Sequence, residues 1–134
     1  MVEKKIPSFV GMAPTGDAKL GRIQLAPEVL EVIIGIAAGE VKGVVRTQGN
    51  FAAGVAEKLG KVMYGKGVKT LWTEDGLIID VYCVLEYGVS IPAVAEEIQH
   101  EIRHTIFHMT SLETKEVNVH ITGIEPEAVD LTTR

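Results

Sequence analysis

The sequence predicts an α+β fold in which two helices pack on one face of a mixed four- to five-stranded sheet, in the order β-α-β-β-β-α-β. Three patterns carry that prediction. From Ser90 to Thr110, the residues Ile91, Val94, Ala95, Ile98, Ile102, Thr105, Ile106 and Met109 recur at three-and-four spacing. That spacing aligns side chains on one face of a helix turning about 100° per residue. Leu77, Ile79, Val81, Cys83 and Leu85 alternate with Ile78, Asp80, Tyr82, Val84 and Glu86, and Val117, Val119 and Ile121 alternate with Asn118, His120 and Thr122. Both runs have the period of two that marks a strand buried on one side. The connected unit from Tyr87 to Ile124, a strand end, the long helix and a strand, organises the rest.

Taken in order, residues 1–21 mix Lys4, Lys5, Pro7, Pro14, Gly11, Gly16 and Gly21 without a sustained period, and read as a loosely ordered arm outside a single domain spanning 22–124. Residues 125–134 read as a tail. Ile23 and Leu25 flank Gln24 as a short strand, and Pro27 suits the first turn of a helix that follows. The body of that helix, Val29 to Glu40, is apolar almost all round. Leu30, Ile33, Ile34 and Ala37 can face a sheet, which leaves Val29, Val32 and Ile36 to be covered by the long helix, by the Phe51 segment or by another subunit. Gly35 and Gly39 would let a second helix come close. Val41 to Thr47 reads as a strand. Residues 48–67 read as a mobile helical loop, with glycines interrupting the spacing of Phe51, Val55 and Leu59 and with Lys58, Lys61 and Lys66 opposed only by Glu57. Val68 to Thr73 and Leu77 to Tyr87 are strands joined by a turn at Glu74-Asp75-Gly76.

A chain of 134 residues is one domain, large enough to bury a core without disulfides or metal. Hydrophobic residues make up 46% and aromatics 5%, and the mean hydropathy is +0.21, so the core is aliphatic. The net charge of −5 repels polyphosphate and argues against a nucleic-acid partner. Cys83 stands alone and falls on the apolar face of its strand, where a thiol behaves as a small hydrophobe. No signal-peptide pattern is present, and the longest apolar run, Val32 to Ala38, is far short of the roughly 20 residues that span a bilayer. The expectation is a cytoplasmic protein that reaches a membrane only through a partner.

The sharpest chemical motif is His100-Glu101-Ile102-Arg103-His104, an H-E-x-x-H pattern on a helix, which in zinc hydrolases supplies two imidazole ligands and a general base. With Ile98 at zero, His100 lies near 200° and His104 near 240°, roughly opposite the core stripe at about 20°. That geometry sends the pair to solvent and leaves His100 and His104 as weak metal candidates, with nothing in the spacing to select a third ligand among Glu113, Glu125 and Glu127. His108 rotates to near 280°, at the flank of the stripe. Phe107, near 180°, sits beside Glu96, His100, Arg103 and His104, an aromatic rimmed by charge that would serve as a partner surface. Two phosphate or nucleic-acid lookalikes fail. Gly60 to Gly67 has G-x-x-x-x-G-K spacing, but glycine replaces the magnesium-binding Ser or Thr and a strand follows. Gly35 and Gly39 are one residue too far apart for the G-x-x-G loop of KH domains, with no lysine or arginine between them.

Tyr87-Gly88-Val89-Ser90-Ile91-Pro92, Val94-Ala95, Ile98-Gln99, Met109-Thr110, Val117-Asn118-Val119-His120-Ile121 and Gly123-Ile124 resemble the alkaline shock protein 23 family of Gram-positive bacteria. Gly21-Arg22-Ile23, Gly43-Val44 and Gly67-Val68 agree in outline. Ser111 stands where that family usually has glycine, and if the helix ends there in a left-handed residue, serine costs about 1 kcal/mol. The resemblance implies a small cytoplasmic protein without catalytic residues or cofactor, linked to envelope stress or lipid homeostasis. It implies self-association and, as in some members, association with a membrane-anchored protein. The function expected is therefore a non-enzymatic scaffold or adaptor. The alternatives are a metal-binding protein or zinc hydrolase built on the H-E-x-x-H motif, and a KH-like RNA binder.

Overall fold

The alternation at Leu77, Ile79, Val81, Cys83 and Leu85 decides the architecture, because all five side chains are fully buried and a strand covered on one face needs a layer packed against it. The computed structural model describes residues 10–11, 20–47 and 67–126. Its elements in chain order are β1 (Val10–Gly11), β2 (Gln24–Leu25), α1 (Pro27–Gly39), β3 (Val44–Thr47), β4 (Val68–Thr73), β5 (Gly76–Glu86), α2 (Ile91–Thr110) and β6 (Thr114–Glu125). Both helices lie on one side of a four-stranded mixed sheet, as expected. The short strand β2 is not a fifth member of it, since it pairs antiparallel with β1, Leu25 opposite Val10 and Gln24 opposite Gly11.

β5 is the axis of the sheet. Along one edge it pairs parallel with β6, Leu77 beside Thr114 through Glu86 beside Glu125, a connection that requires the crossover that α2 supplies. Its other edge is shared. β4 runs antiparallel to residues 76–81 and β3 antiparallel to residues 83–85. A strand has two hydrogen-bonding edges, so β3 and β4 lie end to end and point the same way. Thr47 pairs with Cys83 and Val68 with Val81, which places the end of β3 and the start of β4 roughly 7 Å apart along the sheet. The stretch from 48 to 66, with the Phe51 spacing and the lysines, lies outside the described residues.

The core joins the inner face of β5 to Leu30, Ile34, Ala37 and Ala38 of α1, to Val94, Ile98, Ile102 and Ile106 of α2, and to Val41, Val68 and Val117. Each fully buried Leu or Ile contributes about 1.5–3 kcal/mol relative to exposure. The stripe on α2 differs from the expected one at its ends. Ile91 and Met109 are 42% and 56% exposed, while Thr110 is buried. The buried line steps by four residues, Val94, Ile98, Ile102, Ile106, Thr110, and so rotates by about 40° each step. A residue at fixed bearing therefore leaves the contact at both ends. Thr110 is accommodated because its Oγ1 donates to the Ile106 carbonyl at 2.6 Å and accepts from the Leu112 N–H at 3.1 Å. On α1, Val29, Val32 and Ile36 remain partly exposed, so no described element covers the stripe. Gly35 is buried, but among the described residues a Cβ at Gly39 would meet nothing within 4 Å, and none of them approaches closely there.

Local chemistry ends the elements where they end. Ser90 Oγ caps α2 by accepting from Ala93 N–H at 3.4 Å, and Pro92 occupies its first turn. At the other end Ser111 is left-handed, with φ 64°, and its N–H donates to the Phe107 carbonyl at 2.8 Å. The condition under which Ser111 was expected to be costly is met. Gly43, with φ +100°, turns the chain into β3, and a Cβ there would lie 3.1 Å from Val94 Cγ2. Among the described residues no helix is long and apolar enough to cross a membrane.

Candidate interaction surfaces

With its underside in the core, α2 presents Glu96, His100, Arg103, His104 and Phe107 outward, all exposed. Phe107 is 55% exposed. The rings that come together are not the His100 and His104 of the H-E-x-x-H spacing. Instead His104 and His108 stack, with centroids 6.0 Å apart and planes 10° from parallel. Among the described residues no group of three or more His, Cys, Asp or Glu side chains is placed to hold a metal ion.

Arg103 has a different task from the one its exposed position suggests. Its guanidinium donates to the carbonyls of Thr114 at 2.6 Å and Lys115 at 3.4 Å, and one turn earlier Gln99 Nε2 donates to the Val117 carbonyl at 3.0 Å. Carbonyls at the start of β6, which among the described residues pairs with β5 alone, are thereby occupied by side chains of the helix above. An unpaired strand edge is a template for unwanted pairing, and this contact blunts it. Between α2 and β6 the contact leaves a groove of about 420 Å³ lined by Glu96, His100, Arg103 and Glu116 among others. Arg103 belongs to this strap between helix and sheet, while Glu96, His100, His104 and Phe107 make up the rest of this exposed face.

The sheet face away from the helices is the second surface. In register, Lys69 lies beside Asp80, Tyr82 beside His120, and Arg46 beside Val84. His120 Nε2 is 2.9 Å from Asp80 Oδ1, its ring stacks on Tyr82 at 4.5 Å and 15°, and Lys69 Nζ stands 5.7 Å from the Tyr82 ring centre. Farther along, Arg46 makes two hydrogen bonds to Glu125, at 2.7 and 3.2 Å. Arg46 and Glu125 sit on strands either side of β5, so the bridge passes over Val84, which is 3% exposed on an otherwise open face. A bulge at Thr122 shifts the register of β6 between Ile121 and Gly123 and turns Glu125 to this side. The Arg46 hydrogen bonds hold the Glu125 carboxyl below its ordinary value. Sequence reasoning put Asp80 and Tyr82 opposite the apolar residues of one strand and His120 opposite those of another, but missed Arg46 with Glu125, whose partnership depends on that bulge.

Other motifs resolve simply. Cys83 is fully buried, and burial pushes its thiol up to about 12, as expected for an inert core residue. Gly35 and Gly39 lie within α1, so no loop joins them as a KH reading requires. The phosphate-loop lookalike falls, except for Gly67, outside the described residues.

Comparison with known proteins places these surfaces in a family. The model of the alkaline shock protein 23 family, described as having a cell envelope-related function, matches residues 15–126. The uncharacterized protein YqhY of Bacillus subtilis (strain 168) is 57% identical over 109 residues, covering 81% of each chain. The uncharacterized protein Spy1535 of Streptococcus pyogenes serotype M6 is 37% identical over 109 residues, covering 81% of this chain and 82% of that one. A stress response regulator gls24 homolog of Streptococcus pyogenes serotype M3 is 27% identical over 106 residues, covering 78% of this chain and 59% of that one. The matched range contains every described strand and helix except β1, and the chain belongs to the alkaline shock protein 23 family, with its cell envelope-related function.

Proposed function

We propose that the protein is a non-enzymatic scaffold or adaptor in the cell-envelope stress response, with a link to lipid homeostasis, that acts by self-association and by binding a membrane-anchored protein. The observation that carries this reading is Phe107, a large apolar side chain 55% exposed on a helix that packs into the core through Val94, Ile98, Ile102 and Ile106. Flanked by Glu96, His100 and His104, it has the composition of an interface centre, aromatic within a polar rim. The name of one relative, a stress response regulator homolog, supports the stress-response part of the reading. No metal-ligating trio accompanies His100 and His104 among the described residues, and the zinc-hydrolase alternative draws no support from the site. A cytoplasmic location, with the membrane reached through the partner, belongs to the same proposal.

The test is Phe107→Ala followed by size exclusion with light scattering at several protein concentrations, and by cross-linking to isolated membranes. The variant is expected to lower the molar mass at fixed concentration and to reduce the membrane cross-link. If both are unchanged, the outer face of α2 is not the contact surface.

A further inference from the structure

We propose that His104 and His108 form half of a transition-metal site, completed by the same pair from a second copy of the chain. The inference rests on reading the outer face of α2 as a contact surface. The two residues stand one helical turn apart, both exposed, with ring centroids 6.0 Å apart and planes within 10° of parallel. Side chains four apart on a helix are neighbours. Rotation about exposed side-chain torsions turns one nitrogen of each ring onto a shared ion at the roughly 2.0–2.1 Å of a zinc–imidazole bond. Imidazole is a ligand for zinc, nickel and copper and not for magnesium or calcium, which take oxygen.

Two imidazoles fill half of the tetrahedral sphere that zinc adopts. Among the described residues no third His, Cys, Asp or Glu stands with them in a metal-holding group, and the proposal draws the remaining two ligands from a second copy. A two-fold axis beside the pair supplies them, because a symmetric contact presents the same patch from each copy and gathers four imidazoles around one ion. It also brings Phe107, in the next position, toward the partner. Charge points the same way. Each chain carries a net charge of −5, so two copies repel each other, and a divalent cation at the contact offsets that repulsion. The pair differs from the one in the H-E-x-x-H motif, and the proposal invokes no hydrolysis.

The test uses the full chain without a histidine tag, equilibrium dialysis against zinc chloride, and light scattering after size exclusion with added zinc or with a chelator. Circular dichroism verifies that each variant is folded. The expected result is one zinc per two chains and a molar mass that rises with zinc and falls with chelator. His108→Ala is expected to weaken zinc binding at least about tenfold and to abolish the mass change. Zinc bound at one per chain with no change in mass overturns the shared site. Zinc binding no tighter than that of the His104→Ala/His108→Ala double variant overturns the site altogether. An oligomer that ignores zinc and chelator yet dissociates in Phe107→Ala overturns the metal inference and leaves the α2 contact reading in place.

Discussion

Replacing Ser111 by glycine should stabilise the protein, which is unusual for a substitution that adds no contact. Ser111 ends α2 at φ 64°, where the Cβ of an L-residue crowds the following carbonyl at a cost of about 1–2 kcal/mol. Glycine removes that crowding and keeps the backbone hydrogen bond from the residue 111 N–H to the Phe107 carbonyl at 2.8 Å. Against the gain stands the extra freedom of glycine in the unfolded chain, about 0.4–1 kcal/mol. The net expectation is a stabilisation of about 0.5–1 kcal/mol. For 134 residues the entropy of unfolding is about 0.28 kcal/mol/K, so the melting temperature should rise by about 2–4 °C. Urea titration followed by circular dichroism measures the change directly. The midpoint should increase with the slope unaltered, which assigns the effect to stability and not to the compactness of either state. Ser111→Ala is the control, because it keeps the Cβ and the positive φ, and it should give no gain. A glycine variant no more stable than the parent, or an alanine variant equally stabilised, would refute the argument.

Other consequences follow from the contacts. Arg103→Met keeps the aliphatic stem and loses the donors to Thr114 and Lys115; it should lower stability by about 1 kcal/mol in the same titration, toward the low end for a charged donor because the side chain is exposed. Glu125 has a depressed folded value through its Arg46 hydrogen bonds, so its contribution is fully present above the unfolded carboxylate value and disappears as pH falls through the folded one. Glu125→Gln should therefore flatten the acid limb of a stability–pH curve, and an unchanged limb would show that the bridge contributes nothing in solution. Cys83, fully buried and with its thiol raised to about 12, should resist a thiol reagent at pH 8 in the native protein and react on unfolding. Rapid native labelling would contradict its place in the core.

The division between what could be read in the chain and what could not follows the range of the forces involved. The alternation in β5 was legible because burial on one face imprints a period of two, and each of Leu77, Ile79, Val81, Cys83 and Leu85 is fully buried. The helical spacing of α2 and the strain at Ser111 are likewise local, set by residues within one turn of one another. Ile91 and Met109 show where that logic stops. Both lie at the bearing of the stripe, but the contact line rotates along the helix and passes them by.

By itself, the sequence determined the fold class, the number and order of the main elements, the inner face of β5 and the solvent face of α2. These depend on the periodicity of side chains along a single element, and periodicity is written in the order of residues. The tertiary structure alone decided that β3 and β4 share one edge of β5 and that Arg103 closes the edge of β6. It also decided that Arg46 reaches Glu125 across Val84 and that His108, instead of His100, stacks on His104. Those outcomes depend on register and bulge position between segments distant in sequence, and on which of several equivalent rotamers the packed neighbours leave open. No local period encodes such choices, because the energy that selects among them exists only once the elements have met.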